Sequence, residues 1–214
     1  MSHAMRRYLT EFMGTFFFVL TIALVVTQRD PTAPLIIGSV LMVVVYMGAP
    51  VSGGHYNPAV SLALFLRGKL PRSDLLPYLV AQVLGALAGA FLSYVILDRT
   101  FGPAPAATTT TVTALLVEGL YTCLLALVVL NCAAREATKG NSYYGLAIGF
   151  TILVATYAGG GISAGVYNPA VATGALVINA LYGVGDLSHL WLYLVGPFAG
   201  GVLAAILFKL QGES

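Results

Sequence analysis

Few side chains in this 214-residue chain could carry chemistry, and those that could come in pairs. Asn57-Pro58-Ala59 and Asn168-Pro169-Ala170 are the same triplet. Asn is a good helix N-cap and Pro is favoured at the first helical position, so each triplet reads as a loop turning into a short helix. The asparagine amides carry N–H groups that can donate to a passing oxygen, and the carbonyls around residues 53–56 and 165–167 offer acceptors. Glu11 and Glu118 each stand in an apolar stretch, where an ionisable side chain needs a partner and a role. This is chemistry for passing small hydrogen-bonding molecules rather than for making bonds. The sequence shows no metal-ligand cluster, nucleophile triad or phosphate loop, so no enzyme activity, metal or cofactor is expected. Cys123 and Cys132 share one apolar stretch. On a helix they would lie about 13 Å apart along the axis, too far to pair, and they read as small buried apolar side chains.

The elements that position these residues belong to a membrane. The chain is 58% hydrophobic and 8% charged, with a mean hydropathy of +0.89. A soluble domain carries about 25% charged residues. This composition excludes a soluble enzyme, a secreted disulfide scaffold and a disordered tail. A span needs about 20 mostly apolar residues, and six such stretches are legible: 8–27, 34–50, 77–97, 112–133, 143–158 and 189–209. They are rich in Gly and Ala, which let helix backbones approach closely in a packed bundle. The first run continues as a full span after Arg6 and Arg7, so it reads as a retained helix rather than a cleaved signal.

Six spans put both ends of the chain on one side. Arg6, Arg7, Arg67, Lys69, Arg72, Arg135, Lys139 and Lys209 fall on that side, and only Arg29 and Arg99 fall opposite. The bias predicts cytoplasmic termini in a cell inner or plasma membrane. A net charge of +2 is too small for a nucleic-acid surface.

Residues 52–66 and 163–179 are too polar at the start and too short to span. Each reads as a loop that enters, turns at Asn-Pro and becomes a half-helix, with Gly68 and with Gly174 or Gly183 as terminators. The two segments are copies. Residues 52–60 and 163–171 agree at seven of nine positions at an offset of 111, which also carries Gly38, Gly85 and Gly89 onto Gly149, Gly196 and Gly200. Glu11-x-x-x-Thr15 repeats as Glu118-x-x-x-Thr122 at an offset of 107. Three spans and one half-helix per copy make the second copy upside down. The expectation is one domain over residues 1–214, with halves at about 6–97 and 113–209. Inverted repeats put a site near the midplane, where discontinuous helices meet. Two facing N-termini, each worth about half a positive charge, would repel cations there.

On the paired Asn-Pro-Ala motifs, the Ser-Gly-Gly-His before the first, and one Glu in the first span of each half, the chain resembles the major intrinsic protein family, the aquaporins and glycerol facilitators. The resemblance covers essentially the whole chain. It implies an all-α membrane protein of six transmembrane helices plus two re-entrant half-helices, assembled in the bilayer as a homotetramer with one pore per subunit. It implies that Glu11 and Glu118 brace the loops behind the half-helices and that His55 lines the pore.

The chain also departs from its relatives' pattern. Water-selective members carry Arg after the second Asn-Pro-Ala, where this chain has Val171. Counting from the motifs, the resemblance puts the constriction at Ile37, Gly165, Val171 and either Thr156 or Ile152. Water channels usually hold an aromatic residue at the Ile37 position and His at the fifth-span position. Glycerol-channel relatives usually follow the Arg with Asp, but Ala172 stands here. The expected function is a passive channel for water and small uncharged solutes. The alternatives are a preference for larger neutral solutes (glycerol, urea, ammonia, metalloid hydroxides) or a non-conducting member. A coupled transporter would want further ionisable residues in the spans.

Overall fold

In the computed structural model, which describes residues 1–212, eight α-helices follow one another with no strand among the described residues. They are α1 (His3–Thr27), α2 (Ala33–Ser52), α3 (Pro58–Leu66), α4 (Arg72–Leu97), α5 (Thr111–Val129), α6 (Tyr144–Ser163), α7 (Pro169–Tyr182) and α8 (Leu190–Leu210). α5 runs on into a π-helical turn, Leu130–Ala134. Helices α1, α2, α4, α5, α6 and α8 are long and apolar enough to cross a membrane. At 1.5 Å per residue α3 and α7 reach about 14 and 21 Å, short of a bilayer core of about 30 Å.

Local chemistry sets the ends. Ser2 caps α1 by accepting from Met5 N at 3.2 Å. The turn after α1 closes where Asp30 accepts from the Thr32 N–H and hydroxyl, bonds that hold its carboxyl below the ordinary carboxylate range. Asn57 and Asn168 cap the short helices and Pro58 and Pro169 open them, as the triplets predict.

Several boundaries differ from the sequence reading, α1 among them, which begins at His3 rather than at 8. α4 begins at Arg72 rather than at 77, because Asp74 in its first turn is buried against Arg7 and Tyr8 of α1. Hydropathy counts Asp74 as a loop residue, but pairing makes its burial tolerable. α6 runs on to Ser163, five residues past its expected end at 158. Gly174 is no terminator. It lies inside α7 against the Ala86 backbone, where a Cβ would overlap the chain. α7 ends instead at Gly183.

α1 packs on α4, α5 on α8 and α2 on α6. The short helices cross between halves, α3 onto α8 and α7 onto α4. Small residues set these distances. Gly85 and Gly89 face the carbonyls of Phe12 and Phe16, and Gly200 faces that of Gly119. Gly38 and Gly149 each lie against the other's carbonyl, the reciprocal contact of a two-fold axis through the inverted repeat. Outward faces carry exposed apolar side chains such as Leu76, Val80, Leu116 and Leu120, as lipid requires.

Candidate functional site

The two loops ahead of α3 and α7 share one unusual backbone. Gly53 and Ala164 have φ of 92° and 74°, Gly54 and Gly165 of 64° and 65°, Tyr56 and Tyr167 of 50° and 52°. Left-handed backbone is costly for residues with a Cβ, so something must hold it. In the first loop Glu11 Oε1 accepts from Ser52 Oγ at 2.7 Å and His55 N at 3.0 Å, while Oε2 accepts from Tyr56 N and Gln82 Nε2, both at 2.8 Å. In the second, Glu118 accepts from Ser163 Oγ at 2.7 Å, Val166 N at 3.0 Å and Tyr167 N at 2.6 Å. Both carboxylates are fully buried. Charge-assisted bonds to backbone N–H groups are the strong kind.

Phenols fasten the same loops from the other side. Tyr56 donates to the Val44 carbonyl at 3.0 Å and Tyr167 to that of Ala155 at 2.9 Å. Gly48 and Gly159 leave room for these two hydroxyls, which a Cβ would strike. Tyr78 donates to the Ser52 carbonyl at 2.6 Å and Tyr193 to the Ser163 carbonyl at 2.7 Å. Arg7 donates to the Tyr78 hydroxyl at 2.9 Å and pairs with Asp74, tying α1, α4 and the first loop together.

The N-termini of α3 and α7 meet in the middle of the bundle. Asn57 Nδ2 donates to the Tyr167 carbonyl and Asn168 Nδ2 to the Tyr56 carbonyl, each at 2.9 Å. Each Asn Oδ1 is taken up by its own helix, accepting from Ala59 N or Ala170 N at 2.9 Å. The second hydrogen of each amide has no partner among the described residues, so both asparagines can offer a donor. They line a cavity of about 600 Å³ together with His55. Its walls include Ile37, Ile152, Thr156, Gly165 and Val171, with Phe18, Ile22 and Leu41 continuing the apolar side. None of its lining residues is Asp, Glu, Lys or Arg. The structure thus brings all the residues expected at the constriction to one cavity, and both fifth-span candidates are on its wall. Pro58, Ala59, Pro169 and Ala170 are buried and are not among its lining residues.

Sequence reasoning missed the supports. Gln82, the one carboxamide in the expected third span, was the available signal for a partner to Glu11. Ser52 and Ser163 stood in the repeated segment, but nothing in one dimension linked them to a glutamate 41 or 45 residues away. Among the described residues no group of His, Cys, Asp or Glu could hold a metal ion, and both cysteines are free.

Comparison with known proteins agrees with this geometry. The family model described as "Major intrinsic protein" matches residues 1–208. The chain is 33% identical to "Glycerol uptake facilitator protein-like 6" of Lactiplantibacillus plantarum, over 98% of this chain and 99% of that protein. It is 33% identical to "Aquaporin Z" of Brucella melitensis, over 80% of this chain and 78% of that protein. The fold superposes on the aquaglyceroporin from Plasmodium falciparum with a TM-score of 0.83 at 23% identity, covering 96% of each chain. A match over nearly the whole length, on a structure with six membrane-length helices and two capped half-helices, leaves one assignment: the chain belongs to the major intrinsic protein family.

Proposed function

We propose that the chain is a passive transmembrane channel for water and small neutral solutes, with one pore through each copy. The observation that carries this reading is the meeting of α3 and α7 N-termini at Asn57 and Asn168 on a cavity without charged side chains. Two helix N-termini make the middle of the bundle electropositive, which opposes cations. Outward N–H donors replace part of a solute's hydration, while an uncharged wall offers an ion nothing for the shell it would shed. Relatives named for glycerol uptake and as an aquaporin support the solute class.

Within this reading the narrowest ring is formed by Ile37, Gly165, Val171 and Thr156 or Ile152, and His55 lines the pore on the other side of the asparagines. Glu11 and Glu118 brace the loops. The one domain spans residues 1–214 as two repeat halves. Assembly as a homotetramer in the bilayer is part of the same proposal, on the family resemblance alone. The eight-to-two distribution of basic residues supports cytoplasmic termini in a cell inner or plasma membrane.

A second reading, a preference for larger neutral solutes over water, is favoured by one feature. Val171 lines the cavity where a donor-bearing Arg would narrow it. Stopped-flow light scattering of proteoliposomes tests both readings, with water, glycerol, urea, ammonia and arsenous acid as solutes. The channel reading expects permeabilities well above those of empty liposomes, and protein-free rates throughout would overturn it. A larger gain for urea or glycerol than for water would select the second reading.

A further inference from the structure

The two halves are not equivalent around their loops. His55, Ser61 and Gln82 of the first half correspond, at the repeat offset, to Val166, Ala172 and Tyr193 of the second. Only the first half therefore builds a polar chain beside the cavity. Gln82 Nε2 donates to Glu11 Oε2 at 2.8 Å and to Ser61 Oγ at 2.9 Å, and Ser61 Oγ lies 3.0 Å from His55 Nδ1. Gln82 and Ser61 are fully buried and His55 is 8% exposed.

The Glu11 end sets the direction of the bonds through Gln82, and the last bond depends on where the Ser61 hydroxyl hydrogen goes. Glu11 receives three donors from Ser52, His55 N and Tyr56 N, so its fourth neighbour must also donate. That turns the Gln82 amide nitrogen, not its oxygen, toward the carboxylate. The cost is visible, because Gln82 Oε1 is buried with no hydrogen-bond partner among the described residues. The second hydrogen of the same amide points at Ser61, whose oxygen accepts it. The single Ser61 hydroxyl hydrogen is then free to go to His55 Nδ1. An Nδ1 that accepts is unprotonated, so the neutral imidazole carries its hydrogen on Nε2. Among the described residues nothing bonds Nε2, and His55 lines the cavity.

We propose that Ser61 and Gln82 are positioning residues that, anchored on Glu11, lock His55 in the Nε2–H tautomer and make it a constant hydrogen-bond donor to the cavity. With Asn57 and Asn168 it gives three donors on the same cavity, while at the position matching His55 the second half contributes only apolar Val166. The significance for solute passage rests on the channel reading, but the proton's location does not.

The test is nitrogen-15 NMR of the histidine-labelled full-length chain in lipid, with His55 identified by the signal lost in His55→Gln. His3 is exposed and serves as an internal reference for an averaged tautomer. Wild type should show one pyridine-type Nδ1 and one pyrrole-type Nε2. Ser61→Ala should give a mixed or reversed tautomer, and Ser61→Thr, which restores the hydroxyl, should return the wild-type pattern. Ala172 occupies the corresponding buried place in the other half, so Ser61→Ala creates a side chain the fold already accommodates. A protonated Nδ1 in wild type would overturn the proposal, and so would an Ser61→Ala spectrum identical to wild type. Protein-free permeability rates alongside a locked tautomer would defeat the channel reading and leave this inference standing.

Discussion

Glu11 holds four donors and Glu118 three. Exchanging either for Gln replaces an acceptor by an N–H₂ group pointed at N–H groups, and each charge-assisted bond so lost costs about 1.5–3 kcal/mol. Both Glu11→Gln and Glu118→Gln should lower the unfolding midpoint in detergent, the first by more, and leave the ratio of urea to water permeability unaltered. Unchanged midpoints and fluxes in both variants would contradict the bracing role. The loop backbone gives a second comparison. Gly53 and Ala164 hold matching left-handed conformations, and a Cβ on Gly53 would also press on His55 Nε2 at 3.0 Å. Gly53→Ala should destabilise by about 1–2 kcal/mol, whereas Ala164→Gly should be close to neutral, because relieved strain and added unfolded-state freedom oppose each other. Equal effects from the two, read by thermal unfolding, would mean that the left-handed backbone is not strained.

Helix positions depend on glycines that touch neighbouring backbone. Gly89 meets the Phe16 carbonyl, while Gly161 has nothing within 4 Å. Gly89→Leu should push α4 off α1 and cost about 1–3 kcal/mol or more. Gly161→Ala should be tolerated in a thermal melt, since it adds helix propensity and meets no atom. Comparable losses in both would contradict the close packing of α1 and α4. These elements were legible to different degrees for physical reasons. The half-helices could be located because Asn-Pro carries its own capping chemistry, and the six spans because lipid demands apolar length. The boundary at Arg72 was hidden, since the polarity of Asp74 is offset by Arg7 and Tyr8, which lie 67 and 66 residues away. Gly174 misled because glycine ends helices and also lets them touch, and only the neighbouring Ala86 tells which. Ile37, Gly165 and Val171 could be brought to the cavity wall through their spacing from a motif, but Gln82, Ser61 and Tyr78 could not be singled out, because their importance lies in which helix faces them.

At the scale of the whole molecule, two facing helix N-termini meet at a cavity without charged side chains. Planar-bilayer recordings should therefore show very low cation conductance even without an arginine at position 171, and robust selective cation currents would contradict the dipole argument. The distribution of basic residues predicts that a protease tag placed after Leu210 is cleaved from the cytoplasmic side, and cleavage only from outside would reverse the orientation. The central claim is that neutral solutes pass through the cavity beside Val171. Val171→Arg adds donors and bulk to that wall, so it tests the path itself. The measurement is the ratio of urea to water permeability, by stopped flow, for wild type and Val171→Arg in liposomes of the same composition. A clear fall in the ratio is expected, with urea slowed more than water. An unchanged ratio, in a variant that folds and still conducts water, would mean that solutes do not pass Val171.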